Sequence, residues 1–391
     1  MPKSMDRVAG LDCLRVIALG LVVVFHVLCL MDREAWTQLG PMSMGSLGVT
    51  LFLGISGALI ANEARDPAEW MLARLKKIYP AYWLATVLAF LATAISGYKP
   101  VSLVQFLWQM SGIGLGYIEN LINVATWFIG LLLALYFSVF LARLTPYYEK
   151  LLEILAIGSA VLVMFNSSAD YFGNCFAFYG AILAFRTSRP AGSLLFLSVP
   201  CVVLSGFQAE FLSIAIVWGL LAACLSLQRA PGFIQWVSRY SYEFYLLHGV
   251  FLVGSMKLLK TQGFSFRSGI AMILGVLASM IAAIVLQKIV QRLSSAVWRQ
   301  ALAWRCFAGL SDSPRKLGRR AIEDNRRTLW TIVDPLGFGH VAGMVTASDK
   351  RARCDFAKAH RLGYQSQFLK LLGGYITHHW QISWAWLQVL S

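Results

Sequence analysis

The chain has 391 residues, of which 58% are hydrophobic and only 14% charged, with a net charge of +15. A soluble domain carries about a quarter charged residues, so this composition argues against an ordinary water-soluble globule and for an integral membrane protein. Seven cysteines without a C-x-x-C or a Cys/His cluster argue against a zinc site and against a disulfide framework.

The apolar runs predict ten spans, at about 8–31, 46–62, 78–97, 126–143, 151–165, 175–186, 193–207, 211–228, 240–259 and 268–290. The first run is too long for the apolar part of a signal peptide and lacks a small-residue cleavage site, so it reads as a retained span. Segment 102–117 (SLVQFLWQMSGIGLGY) is also apolar, but it carries Gln105, Gln109 and three glycines. It reads as a span or as an interfacial piece, and the loop charges decide. With the N-terminus cytoplasmic and 102–117 not crossing, Lys3, Arg7, Arg65, Arg74, Lys76, Lys77, Arg143, Lys150, Arg186, Arg189, Arg229 and Arg239 fall inside. Only Arg33, Lys99, Lys257, Lys260 and Arg267 fall outside. That is the positive-inside bias, and a crossing at 102–117 weakens it. The expected fold is therefore all-α: a polytopic membrane bundle of about ten transmembrane helices over residues 1–291, both termini cytoplasmic. Residues 292–391 form a basic cytoplasmic tail holding +9 of the net charge. The tail shows no sustained period. A basic segment beside anionic lipid is its plain reading, and no role is assigned to it.

Ionisable residues inside apolar runs mark the candidate site, because a charge at mid-bilayer costs several kcal/mol unless it faces a polar cavity. LRVIALGLVVVFHV places Arg15 and His26 eleven residues apart. That is about three helical turns, so both lie near one face and about 16 Å apart along the axis. Asp12 is three residues before Arg15 and can pair with it. Arg15 alone also reads as a residue reaching back to the headgroups. GSLGVTLFLGISG (45–57) brings small residues, Gly48, Ser56 and Gly57 among them, to helical spacing. They serve either close helix packing or the approach of a ligand. ARLKKIYPAYW (73–83) sets Arg74, Lys76 and Lys77 before Pro80. These are either a positive-inside anchor or a phosphate clamp. SRYSYEFYLLH (238–248) carries Tyr242, Glu243 and His248. Only His26 and His248 lie in the first 290 residues, so any histidine base is one of these two.

Taken in order, GLDCLRVIALGLVVVFHV, GSLGVTLFLGISG, ARLKKIYPAYW, TWFIGLLLALYF and SRYSYEFYLLH resemble the bacterial membrane acyltransferase family 3, over residues 8 to about 290. The resemblance implies an inner-membrane O-acyltransferase. It would move an acyl group, often acetyl, from cytoplasmic acyl-CoA to a hydroxyl of an extracytoplasmic sugar or glycolipid. The family's Arg-x10-His element falls on Arg15 and His26. Its basic pair falls on Arg74 and Lys77, and its small-residue motif on Gly48, Ser56 and Gly57. Two departures stand out. Lys77 replaces the usual second arginine, giving up bidentate geometry. The position five after Trp127, often glutamate in the family, is Leu132, so a catalytic carboxylate is Asp12 or Glu243, or this branch does without one.

The expected machinery is then His26 as base or acyl carrier, with Arg15 and Asp12 beside it. Arg74, Lys76, Lys77, Ser56, Tyr242, Glu243 and His248 would bind substrate. No cofactor, metal or nucleic acid is expected; the partners are acyl-CoA, the glycan acceptor and membrane lipid. A secondary transporter or a glycan flippase without acyl chemistry is the competing expectation.

Overall fold

Every predicted span folds as a helix. The structure, a computed structural model, describes residues 9–97, 100–112, 121–123, 126–165 and 169–307. The chain divides into two units after Arg299, and the first of them holds the apolar bundle. The tail beyond 307, Lys3, Arg7, Lys99 and the end of segment 102–117 lie outside the described residues.

The helices, in order, are α1 (Ala9–Leu30), α2 (Met44–Ile60), α3 (Pro67–Ser96), α4 (Leu103–Met110), α5 (Trp127–Arg143), α6 (Tyr148–Phe165), α7 (Ala169–Phe185), α8 (Pro190–Leu204), α9 (Glu210–Cys224), α10 (Gly232–Leu258) and α11 (Phe266–Phe307). Among the described residues, three segments are long and apolar enough to cross a membrane by themselves, Ala9–Leu30, Pro67–Ser96 and Phe266–Leu293, and five others are shorter apolar helices. Between α1 and α2 the chain forms a two-strand hairpin, β1 (Gln38–Leu39) against β2 (Met42–Ser43). Gln38 pairs with Ser43 and Leu39 with Met42. Ser43 then caps α2 by accepting the amide of Ser46 at 3.0 Å, satisfying one of the orphan donors of the first turn.

Helix α2 is the hub. It buries twelve of its seventeen residues and packs against α1, α7 and α9. Its glycines permit that approach. A Cβ on Gly48 would stand 2.8 Å from the Ala18 carbonyl of α1, and one on Gly57 would run into the Phe178 carbonyl of α7. Of the two readings of these small residues, close helix packing is the one realised at Gly48 and Gly57. Outward, the bundle presents large apolar side chains such as Ile95, Ile154, Phe196, Val199 and Ile273, a surface suited to hydrocarbon and not to water.

The loops gather on two opposite faces. On one, Arg33 after α1 lies over the ring of Phe264, before α11, at 4.5 Å, and Lys257 at the end of α10 donates to the Ser96 carbonyl at the end of α3 at 3.3 Å. On the other, Arg143 at the end of α5 donates to the carbonyls of Glu63 and Arg65 at 3.0 and 2.6 Å. Arg186 after α7 reaches the Ala61 carbonyl at 3.0 Å and Glu149 at 2.6 Å. On this second face, hydrogen bonds from Arg65 hold the Glu63 carboxyl down to about 2, so it is charged at any neutral pH.

This sorting fixes the role of α4. At eight residues it is about 12 Å long, far short of a hydrocarbon core of about 30 Å. It is tied to the middle of α3 by three aromatic donors. Tyr79 bonds the Ser111 carbonyl at 2.7 Å, Trp83 the Met110 carbonyl at 2.9 Å, and Tyr82 the Gln109 carbonyl. These bonds satisfy carbonyls that a helix C-terminus leaves unpaired. Ten helices then remain to run between the two faces.

Candidate active site

Helix α1 carries the two ends of the site. Because it is continuous from Ala9 to Leu30, Arg15 and His26 are separated by about 16 Å of helical rise. They line different cavities.

The Arg15 cavity, about 330 Å3, lies toward the Arg143 face. Its walls include Arg15, Ser56, Arg74, Lys77, Tyr242 and Glu243, six residues singled out by their sequence context, together with Arg239. Four cationic side chains thus converge against one carboxylate, and their supports differ. Asp12, only 1% exposed, accepts from Arg15 at 2.9 Å and from Ser238 of α10 at 2.7 Å; it anchors the guanidinium and is not itself in the cavity lining. Arg74 lies over the rings of Tyr136 and Trp70, at 5.5 and 6.0 Å, a stacking that suits a planar guanidinium. Arg239 is four residues before Glu243 on α10, one turn away on the same face, and its carbonyl accepts from Gln287 of α11 at 3.0 Å. Tyr242 donates to the Ile78 carbonyl of α3 at 2.9 Å. Ser56 donates to the Phe52 carbonyl at 2.9 Å and is the member of the small-residue motif that faces the cavity. Lys76 is exposed and stands outside this lining. Leu132, where the family pattern often has glutamate, forms part of the apolar wall.

The His26 cavity, about 660 Å3, lies toward the Arg33 face and is lined by His26, Thr93, Ser96, Asn123, His248 and Lys257 among others. The two histidines meet there with ring centroids 5.1 Å apart. Asn123 is set by Gln109, a fully buried side chain of α4. The Gln109 amide oxygen accepts from the amides of Ile122 and Asn123, and its nitrogen donates to Thr126 Oγ1 at 2.7 Å. Asn123 in turn donates through Nδ2 to the Leu246 carbonyl of α10 at 2.7 Å, so its oxygen remains as an acceptor. Neither Arg239 nor Asn123 is among the site residues expected from sequence. Arg239 reads there as one more positive-inside charge, although its i, i+4 relation to Glu243 was available. Asn123 sits in an irregular segment with no periodic signal.

Between the cavities stand three rings. Phe52, Phe128 and Tyr245 all line the Arg15 cavity and pack together at centroid distances of 5.2–6.0 Å. Tyr245 also touches His248 at 5.6 Å. Arg15 and His26 thus open on two chambers, with these rings at the wall of the first. Tyr245 and His248, three residues apart on α10, point along the same face.

Among the described residues, no group of three or more His, Cys, Asp or Glu could hold a metal ion. A cation-rich chamber can bind phosphate, and a chamber holding an imidazole and neutral acceptors can bind and deprotonate a hydroxyl. No curated protein and no solved structure matches the chain. The model of an acyltransferase domain, acyltransferase family 3, matches residues 8–287, which takes in nine of the ten face-to-face helices, the first half of α11 and both cavities. The chain belongs to acyltransferase family 3 and is a membrane acyltransferase of that general kind.

Proposed function

We propose that the protein is an O-acyltransferase that takes an acyl group, acetyl in the simplest case, from cytoplasmic acyl-CoA to a hydroxyl of an extracytoplasmic glycan or glycolipid. One observation carries this reading: a four-cation chamber and a two-histidine chamber are lined by the same helix, at Arg15 and at His26. The Arg143 face would be cytoplasmic, as the excess of basic residues on it suggests. The phosphates of the donor would bind Arg15, Arg74, Lys77 and Arg239, and the acyl-bearing arm would pass Phe52, Phe128 and Tyr245. A sugar hydroxyl in the His26 cavity would find acceptors and donors in Asn123, Thr93, Ser96 and Lys257.

In the transfer step His26 takes the proton of the acceptor hydroxyl while its oxygen attacks the thioester carbonyl. The tetrahedral intermediate collapses with cleavage of the C–S bond, and the proton on His26 passes to the departing thiolate. The ester and free CoA thiol are the products, and no other reactant is needed.

The test is transfer from radiolabelled acetyl-CoA to native membranes taken from cells deleted for the protein. His26→Ala is expected to lower the rate by about a hundredfold to ten-thousandfold, the usual worth of a general base, at unchanged protein level. Wild-type transfer by that variant would falsify the reading. Tight binding of acetyl-CoA is expected to survive in it, because the phosphates sit in the other chamber.

A further inference from the structure

His248 is fully buried, and its surroundings leave its ring little freedom. Phe244 stacks on it nearly parallel at 6.4 Å, and Tyr245 tilts against it at 5.6 Å. Nδ1 stands 2.6 Å from the Tyr245 carbonyl oxygen. A carbonyl oxygen only accepts, so Nδ1 carries the proton and Nε2 is left with a lone pair. That Nε2 has no hydrogen-bond partner among the described residues. An unpaired buried acceptor is destabilising, and it asks for a partner. The neighbour able to supply a proton is the ring of His26, 5.1 Å away centroid to centroid. No hydrogen bond joins the two rings as they stand; turning the His26 ring so that a nitrogen faces Nε2 brings the pair at this separation to about 3 Å, hydrogen-bond distance.

From this geometry we infer that His248 is the positioning residue for His26: its Nε2 accepts the N–H of His26 and so turns the opposite, unprotonated nitrogen of His26 toward the acceptor hydroxyl. The inference rests on the reading of His26 as the base. It replaces a substrate-binding role for His248 with an orienting one. The device is a neutral relative of the arrangement in which a carboxylate fixes the tautomer of a catalytic histidine. A lone-pair acceptor suits this apolar site better than a carboxylate, because it needs no buried charge. It also fits a His26 cavity with no carboxylate among the described residues that line it.

The experiment compares His248→Met, His248→Gln and His248→Asn with the wild type and with His26→Ala, using the same acetyl-CoA and deletion-strain membranes. Methionine fills the space and cannot accept usefully. Glutamine places an amide oxygen at the depth of Nε2. Asparagine stops short of His26. A base held in the wrong orientation costs on the order of a hundredfold. The expected result is therefore a maximal rate about a hundredfold lower in His248→Met and His248→Asn, with KM for acetyl-CoA within about threefold of wild type. His248→Gln is expected to recover to within about tenfold. A purely packing role predicts the opposite order, methionine above glutamine. A wild-type maximal rate in His248→Met overturns the inference, as does glutamine no better than methionine with both proteins folded. Should His248→Met fail to accumulate, the asparagine variant decides in the same way. The two readings also separate: activity in His26→Ala removes the base itself, whereas an inactive His26→Ala beside a fully active His248→Met removes only the partnership.

Discussion

The four cations of the Arg15 chamber do not contribute equally, because their supports differ. Arg74 is braced by two aromatic faces, and Arg15 by a buried carboxylate. Both are preorganised, so little side-chain entropy is lost when they meet an anion. A hydrogen bond to a charged group is worth about 1.5–3 kcal/mol. Arg74→Ala is therefore expected to raise KM for acetyl-CoA by about ten- to a hundredfold, and Arg239→Ala by less, each leaving maximal rate within about threefold. Lys76→Ala, outside the chamber lining, is expected to leave both constants within about twofold. Steady-state kinetics on purified protein checks all three. Equal losses at Arg74 and Lys76 would mean that the basic stretch acts as a diffuse surface field and not as a built site. At this scale much was legible in the sequence, since an arginine, a glutamate or a histidine inside an apolar run has few explanations. Asp12 shows where legibility stops: its pairing with Arg15 follows from an i, i+3 spacing, but its bond to Ser238, on a helix more than two hundred residues away, does not.

Helix contacts follow from small residues whose partners the sequence does not name. Gly57 is buried against the Phe178 carbonyl, and a backbone carbonyl has nowhere to retreat inside a packed bundle. Overpacking of this kind costs about 1–3 kcal/mol. Gly57→Ala is expected to lower the melting temperature in detergent, whereas Gly20→Ala, with open space around it, is expected to leave it unchanged or raise it slightly through helix propensity. Gln109 is the corresponding pin for the irregular segment after α4. Gln109→Leu strands the amides of Ile122 and Asn123, and it is expected to cost transfer activity because Asn123 lines the His26 cavity. Thermal melting and acetyl transfer measured on the same preparations separate the two effects. Element boundaries were hidden where the site intrudes. Helix α3 begins at Pro67 and α10 at Gly232, about ten and eight residues before the apolar runs that announce them. These early turns carry Arg74, Lys77, Ser238 and Arg239 to the Arg15 chamber, and an apolar periodicity search passes over them.

For the membrane unit as a whole, the contacts between loops bear on topology more directly than hydropathy does. Arg33 follows α1 and Phe264 follows α10, yet the guanidinium rests on the ring at 4.5 Å. Two loops in contact lie on one side of a bilayer, so an even number of crossings separates them. Helices α2, α3 and α5 through α10 make eight; adding α4 would make nine and break the contact. The loop charges had suggested the same count from an independent source, the positive-inside bias. Single-cysteine variants labelled with a membrane-impermeant maleimide test it in intact cells freed of their outer barrier. Arg33→Cys and Lys260→Cys are expected to react together, and Arg189→Cys only after permeabilisation. Opposite behaviour of the first two would make α4 a crossing and dissolve the pairing of the loops. Labelling of Arg189→Cys alone would invert the molecule. The cationic chamber would then open outward, where acyl-CoA is absent, and transfer from a cytoplasmic donor would fail because that donor could not reach Arg74.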